Sequence, residues 1–262
     1  MQLFDAGDVR IHYRVDGPAD GAPVVFANSL GTDMRLWDPI LPLLPEGLRI
    51  IRWDKRGHGL STIPSGPYKM GSLITDCERL LDHLEVKECV FVGLSIGGMI
   101  AQGLAVKRLD LIRAMVLSNT AAKIGNPPLW DERIAAVRAG GVESLADAVM
   151  ERWFSAEFRA KPELELWRNM LVQQADDGYA GCSAAISGTD FFTPTSGLRL
   201  PCLGIAGSED GSTPPDLVRE TTDLIPASKF HLIRRAGHLP CVEQPEEFAR
   251  ILGDFLKSVG HV

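Results

Sequence analysis

The stretch Gly93-Leu94-Ser95-Ile96-Gly97-Gly98 sets one hydroxyl between glycines, directly after the apolar run Cys89-Val90-Phe91-Val92 and directly before a helical pattern. A strand that turns into a helix this sharply holds the residue at its apex in a conformation where neighbouring side chains clash, so glycines flank it. The turn lifts the Ser95 hydroxyl above the carboxyl ends of the strands, where open sheets bind ligands. The next helix aims its N-terminus at the same point and favours negative charge there. A glycine-lined packing corner would look the same up to this point, so the reading depends on whether an acid and a histidine lie further along the chain.

A serine hydroxyl needs a base to become a nucleophile. "LGIAGSEDGSTPP" puts Asp210 on a loop just after a predicted strand, and "RRAGHLPCVEQP" does the same for His238. In the chain order Ser, Asp, His, with all three on loops after strands, His238 would be the general base. Asp210 would orient its ring and stabilise the imidazolium. Glu209, one residue nearer the strand, is the weaker candidate for the acid. His58, in "DKRGHG", precedes the serine and reads as part of a structural turn in which Asp54 and Arg56 pair or cap. A developing oxyanion needs two backbone donors. The amide of Ile96, next after the serine, is one. The loop Asn28-Ser29-Leu30-Gly31-Thr32 supplies the second, with Leu30 N–H the natural candidate and Thr32 or Asp33 capping the next helix.

The elements that must position these groups alternate as short β-branched runs and helical patterns, which indicates a mainly parallel sheet with crossover helices. Strands are expected at 11–15, 24–27, 49–53, 89–92, 114–117, 202–206 and 229–233. Helices are expected at 72–84, 96–107 and 246–259, the last with Phe248, Leu252, Phe255 and Leu256 facing inward. From about 121 to 200 there is no convincing strand. That region carries helical patterns and three of the five tryptophans, and it reads as a helical lid inserted between core segments 1–120 and 201–262. The 262 residues suffice for one such α/β domain.

With a net charge of −7, the chain is not expected to bind nucleic acid or an anionic membrane, and no apolar run approaches a membrane span. Its beginning, "MQLFDAGDVR", has no signal-peptide pattern, and five cysteines without a CxxC pair read as reduced, mostly buried thiols. A cytoplasmic protein, a monomer or small homo-oligomer, with no metal or cofactor is expected.

Taken together, "ANSLGTD", "WDKRGHGLS", "GLSIGG", "AGSEDGSTP" and "AGHLPCVEQP" make the chain resemble the α/β-hydrolase superfamily over nearly its whole length. Within it, "NSLGT", "RLWDPILPLL", "GLSIGGMIAQGLA", "LSNTAAKIG" and "RWF" are most similar to the 3-oxoadipate enol-lactonases. The resemblance implies an α/β-hydrolase fold and a Ser95–His238–Asp210 triad. It also implies hydrolysis of an enol-lactone to 3-oxoadipate in aromatic catabolism. Such a substrate carries a carboxylate, so an acidic protein should place a cation near the pocket. Arg133, Arg138 and Arg152, beside Trp130 and Trp153, are the candidates; each could equally lie on a solvated helix face. Rival readings are an esterase or lactonase for another small substrate, a carbon–carbon bond hydrolase with a more aromatic pocket, and a small-molecule receptor that has kept the fold.

Overall fold

The computed structural model describes residues 2–262. Eight strands form one sheet: β1 (Gln2–Asp5), β2 (Arg10–Asp16), β3 (Ala22–Ala27), β4 (Leu48–Trp53), β5 (Cys89–Leu94), β6 (Ile112–Ser118), β7 (Cys202–Gly207) and β8 (Lys229–Ile233), in the order β1-β2-β4-β3-β5-β6-β7-β8. The pairings β1–β2 and β2–β4 are antiparallel, and the other five are parallel. The parallel strands β5 and β7 are buried along their whole length, as strands covered on both faces must be. Strand β1 is the one strand absent from the expected set. It is a four-residue edge strand whose sequence, "QLFD", is too short and too exposed to show alternation.

Three long helices cover the sheet close to expectation. They are α1 (Met70–His83), α2 (Ile96–Lys107) and, at the C-terminus, α11 (Pro245–Ser258), in which Phe248, Leu252, Phe255 and Leu256 are all buried. Helix α2 packs on β3, β5 and β6, and its small residues allow the close approach. Between β6 and β7 the chain is helical: α3 (Pro127–Gly140), α4 (Ala146–Trp153), α5 (Ala156–Arg159), α6 (Leu164–Val172), α7 (Asp176–Ser187) and α8 (Phe192–Ser196). Helix α3 starts on Asn126, whose side chain accepts from the amide of Leu129, with prolines in its first turn. After β7 come α9 (Pro215–Asp223) and the short α10 (Pro240–Glu243). Helix α9 is absent from the expected set as well. "DGSTPP" has the composition of a turn, but its prolines lead into this helix.

The chain runs from β3 out to β4 and then back across to β5, so strand order reverses between β3 and β5. A crevice opens beyond the carboxyl ends at such a reversal. The loop after β3 and the turn after β5 are its two lips.

Candidate active site

Ser95 sits at the apex between β5 and α2 with φ 58° and ψ −120°. A residue with a side chain is strained in this left-handed backbone, and here the surroundings enforce it. Its amide donates to Ser118 O (3.0 Å), and its carbonyl accepts from Gly98 N (2.9 Å) and Thr120 Oγ1 (2.6 Å). The glycines follow from space: a Cβ on Gly93 would lie 2.3 Å from Gly97 O, and one on Gly97 would lie 2.1 Å from Ala27 O.

Asp210 and His238 meet below the same opening. His238 Nδ1 is 2.8 Å from Asp210 Oδ2. The carboxylate also accepts from Asn119 Nδ2 (2.8 Å), Thr213 Oγ1 (2.7 Å) and the amides of Ser212 (2.7 Å) and Thr213 (3.1 Å). Burial alone would raise the Asp210 pKa. The attraction of His238 and the hydrogen bonds from His238, Asn119 and Thr213 outweigh burial and hold it below the usual carboxylate range. An ionised Asp210 puts the ring proton on Nδ1 and leaves Nε2 as the acceptor. The hydroxyl hydrogen-bonded to that nitrogen is Ser29 Oγ (3.3 Å), while Ser95 lines the same cavity as His238. Glu209, the alternative acid, is exposed and bonds through its amide to Ala236 O.

The loop after β3 is fixed from behind. Lys55 Nζ donates to Ser29 O (2.6 Å) and Thr32 O (3.2 Å), and the Gly31 amide donates to His58 Nε2 (3.0 Å). Burial, reinforced by the charge of Lys55, holds the His58 pKa well below its ordinary value, so the ring is neutral and can accept. Among the described residues, Leu30 N–H makes no hydrogen bond within the protein. Ile96 N–H opens α2, where an amide has no partner inside its own helix. The "DKRGHG" turn is therefore structural, as expected, but Asp54 and Arg56 have different partners. Arg56 pairs with Asp76 (2.6 Å) and Asp8, whereas Asp54 takes His12 Nδ1 (2.7 Å) and the amides of Met34 and Leu60.

Ser95 and His238 open onto a cavity of about 280 Å³. Leu30, Trp130, Arg133 and Trp153, all singled out in the sequence, line it, and so does Arg152. Arg138 lies exposed on the far side of α3. The Arg133 guanidinium stands 5.0 Å from the centre of the Trp130 ring. Among the described residues, neither Arg133 nor Arg152 has a carboxylate within 4.0 Å. Burial and the neighbouring charge of Arg133 lower the Arg152 pKa, the direction expected where two half-buried cations share a cavity without a counter-ion. Tyr179, missed in the sequence, is buried against the same cavity, and burial raises its phenol pKa against the pull of both arginines. A larger cleft of about 920 Å³, lined by His12, Asp54 and Gln174 among others, holds none of the three predicted catalytic residues.

The helical insertion is joined to both loops beneath it. Gly211 N donates to Arg152 O (3.1 Å) and His238 N to Trp153 O (2.7 Å). The buried Glu243 accepts from Gly237 N (2.6 Å) on one oxygen and from Ser155 N (3.1 Å) and Oγ (2.5 Å) on the other. Ser95, the His238 imidazole paired to Asp210, Leu30 with its free amide, and two guanidiniums without a carboxylate partner thus border one small cavity, and the Ile96 amide follows directly on Ser95. Such a set can attack a carbonyl and hold an anionic substrate.

Comparison with known proteins identifies the family and the fold. The family model described as "Alpha/beta hydrolase family" matches residues 24–251. A 3-oxoadipate enol-lactonase of Acinetobacter baylyi is 35% identical over 245 residues, covering 93% of this chain and 91% of its own. The crystal structure of the enol-lactonase from Burkholderia xenovorans LB400 has a TM-score of 0.94 at 35% identity, covering 98% of this chain and all of that one. A malate-bound esterase from Thermogutta terrifontis has a TM-score of 0.90 at 28% identity, with 97% and 95% covered.

Proposed function

The chain belongs to the alpha/beta hydrolase family, and on that premise we propose that it hydrolyses 3-oxoadipate enol-lactone to 3-oxoadipate, a step of aromatic catabolism. Ser95 is the nucleophile, His238 the general base and Asp210 the carboxylate that orients it. The observation that carries the choice of substrate is the pair Arg133 and Arg152, unpaired in the cavity of a protein whose net charge is −7. Two cations without a counter-ion favour a ligand that brings its own carboxylate. The cavity is small beside the roughly 300–1,000 Å³ of drug-sized sites, which suits one five-membered ring with a short acid arm. The 3-oxoadipate enol-lactonase among the relatives and the malate in the Thermogutta esterase, itself a small dicarboxylate, point the same way.

In this reading the lactone carboxylate rests against the arginines and its ring carbonyl points at Leu30 and Ile96 N–H. Ser95 Oγ attacks the carbonyl carbon as His238 Nε2 takes its proton, and the two amides stabilise the oxyanion. Collapse of the tetrahedral intermediate breaks the ring carbon–oxygen bond. The departing enol oxygen receives the proton from Nε2, and the enol tautomerises to the ketone. Water, deprotonated by the same nitrogen, then attacks the Ser95 ester and releases the second carboxylate. No step calls for a metal or a cofactor.

The test is the decay of freshly generated 3-oxoadipate enol-lactone, followed by its ultraviolet absorbance, with wild type and Ser95→Ala in parallel. Fast decay with wild type and only the uncatalysed rate with the variant is the expected result. No acceleration by wild type would sink the substrate assignment. Equal rates for the two proteins would sink the assignment of Ser95.

A further inference from the structure

The steps set out for Ser95, His238 and Asp210 leave Ser29 without a role, yet its place is built with care. Its carbonyl accepts three hydrogen bonds, from Lys55 Nζ (2.6 Å), Thr32 Oγ1 (3.0 Å) and Thr32 N (3.3 Å). Lys55 is buried, and its other contact, Thr32 O, holds the opposite end of the same short loop. The loop cannot drift, so the buried Ser29 side chain is fixed where its Oγ stands 3.3 Å from His238 Nε2 and borders the cavity of Ser95. With Asp210 on Nδ1, Nε2 carries the lone pair, and Ser29 O–H is the donor.

We propose that Ser29 is the hydrogen-bond donor to the leaving oxygen of the substrate. The proposal rests on the reading of Ser95 and His238 as nucleophile and base. Whatever oxygen departs must come within hydrogen-bond distance of Nε2 to be protonated. That approach brings it alongside Ser29 Oγ, whose hydroxyl turns from the ring nitrogen to the oxygen as electron density gathers there. The carbon–oxygen bond breaks with its electron pair on the departing oxygen, the proton comes from His238 Nε2, and Ser29 keeps its own proton. Two consecutive residues then serve the two oxygens of one tetrahedral intermediate. Leu30 N–H holds the former carbonyl oxygen and Ser29 O–H the leaving one.

Such a donor matters most when the leaving oxygen is basic. The experiment compares wild type and Ser29→Ala on three aryl half-esters of succinic acid, whose leaving groups are 4-nitrophenol, 4-chlorophenol and phenol. Rates are expressed per Ser95 titrated with a fluorophosphonate, so that a partly folded variant does not disguise the result. One hydrogen bond to a charged oxygen is expected to change the rate on the order of tenfold. Ser29→Ala should therefore lose about that factor in kcat/KM on the phenyl ester, while remaining close to wild type on the nitrophenyl ester. An equal loss on all three esters would overturn the proposal, since it would mark Ser29 as a mere support of the loop. So would the absence of any loss. These esters do not depend on the identity of the natural lactone. If they are turned over and the enol-lactone is not, the substrate reading falls and Ser29 is judged by its own slope. If wild type hydrolyses neither these esters nor the enol-lactone, both fall.

Discussion

Replacing either cavity arginine separates substrate recognition from stability. In the proposed reading, Arg133→Gln and Arg152→Gln each remove a charge-assisted hydrogen bond to the substrate carboxylate, which contributes about 1.5–3 kcal/mol. At about 1.4 kcal/mol per factor of ten, kcat/KM for 3-oxoadipate enol-lactone should fall roughly 10- to 100-fold. α-Angelica lactone has the same enol-lactone ring with a methyl in place of the acid arm, so its kcat/KM should stay near the wild-type value in both variants. Stability should barely move, because no ion pair is lost: among the described residues neither guanidinium has a carboxylate partner. Arg133→Gln gives up its contact with the Trp130 ring at 5.0 Å, which is about 0.5–1 kcal/mol. It also removes the like charge that disfavours Arg152 in its protonated form, an effect of opposite sign. At about 2–4 °C per kcal/mol for a domain of this size, the melting temperature should shift by less than about 4 °C. Steady-state kinetics on the two lactones and a thermal melt complete the assay. An equal loss on both lactones would refute the reasoning, because it would mean that the arginines shape the pocket and do not hold a charge. So would a large loss of stability.

Asp210→Asn should leave the fold intact at neutral pH and lower kcat by about 10⁴, because an amide cannot fix the histidine tautomer. The native pKa of Asp210 is depressed below 3.8, so its stabilisation is fully present above that value and is lost as pH falls through the native pKa. Denaturant titrations at pH 7 and pH 3 should show a smaller acid loss in the variant, and an identical loss would count against a depressed Asp210. Burial lowers the Lys55 pKa from 10.5 to about 8, so between about pH 8 and 10.5 the unfolded chain binds the extra proton. Wild type should gain up to about 3 kcal/mol over that window relative to Lys55→Met. The paired titrations would contradict this if the two proteins ran parallel from pH 7.5 to 10.

Much of the site was legible because its residues are tied to local signals. Ser95 lies between glycines at a strand end, and Asp210 and His238 each lie on a loop after a strand, in a fixed order. The arginines were harder to tell apart. Arg133, Arg138 and Arg152 share one chemistry, and only the rotation of α3 decides that Arg133 turns toward the cavity beside Trp130. Arg138, five residues on, is about 140° further round the helix and faces out. The roles of Ser29 and His58 are contacts across the fold, from residue 29 to 238 and from 31 to 58, with no spacing to announce them. Strand β1 and helix α9 were missed for a different reason. Both are short, four and nine residues, and α9 begins inside the turn-like stretch "DGSTPP".

The seam at Arg152, Trp153 and Ser155 has a bearing on how such proteins diverge. Two carbonyls of that segment satisfy amides in the loops that carry Asp210 and His238, and Ser155 shares Glu243 with Gly237. The insertion is therefore not an interchangeable cap. A graft that takes residues 121–200 from one relative into another transplants half of a hydrogen-bonded joint, and the recipient's loops must match it. Helix α3 brings Trp130 and Arg133 to the cavity without contributing to that joint. New specificities should arise there first, and a designed exchange limited to α3 is the one this joint leaves free.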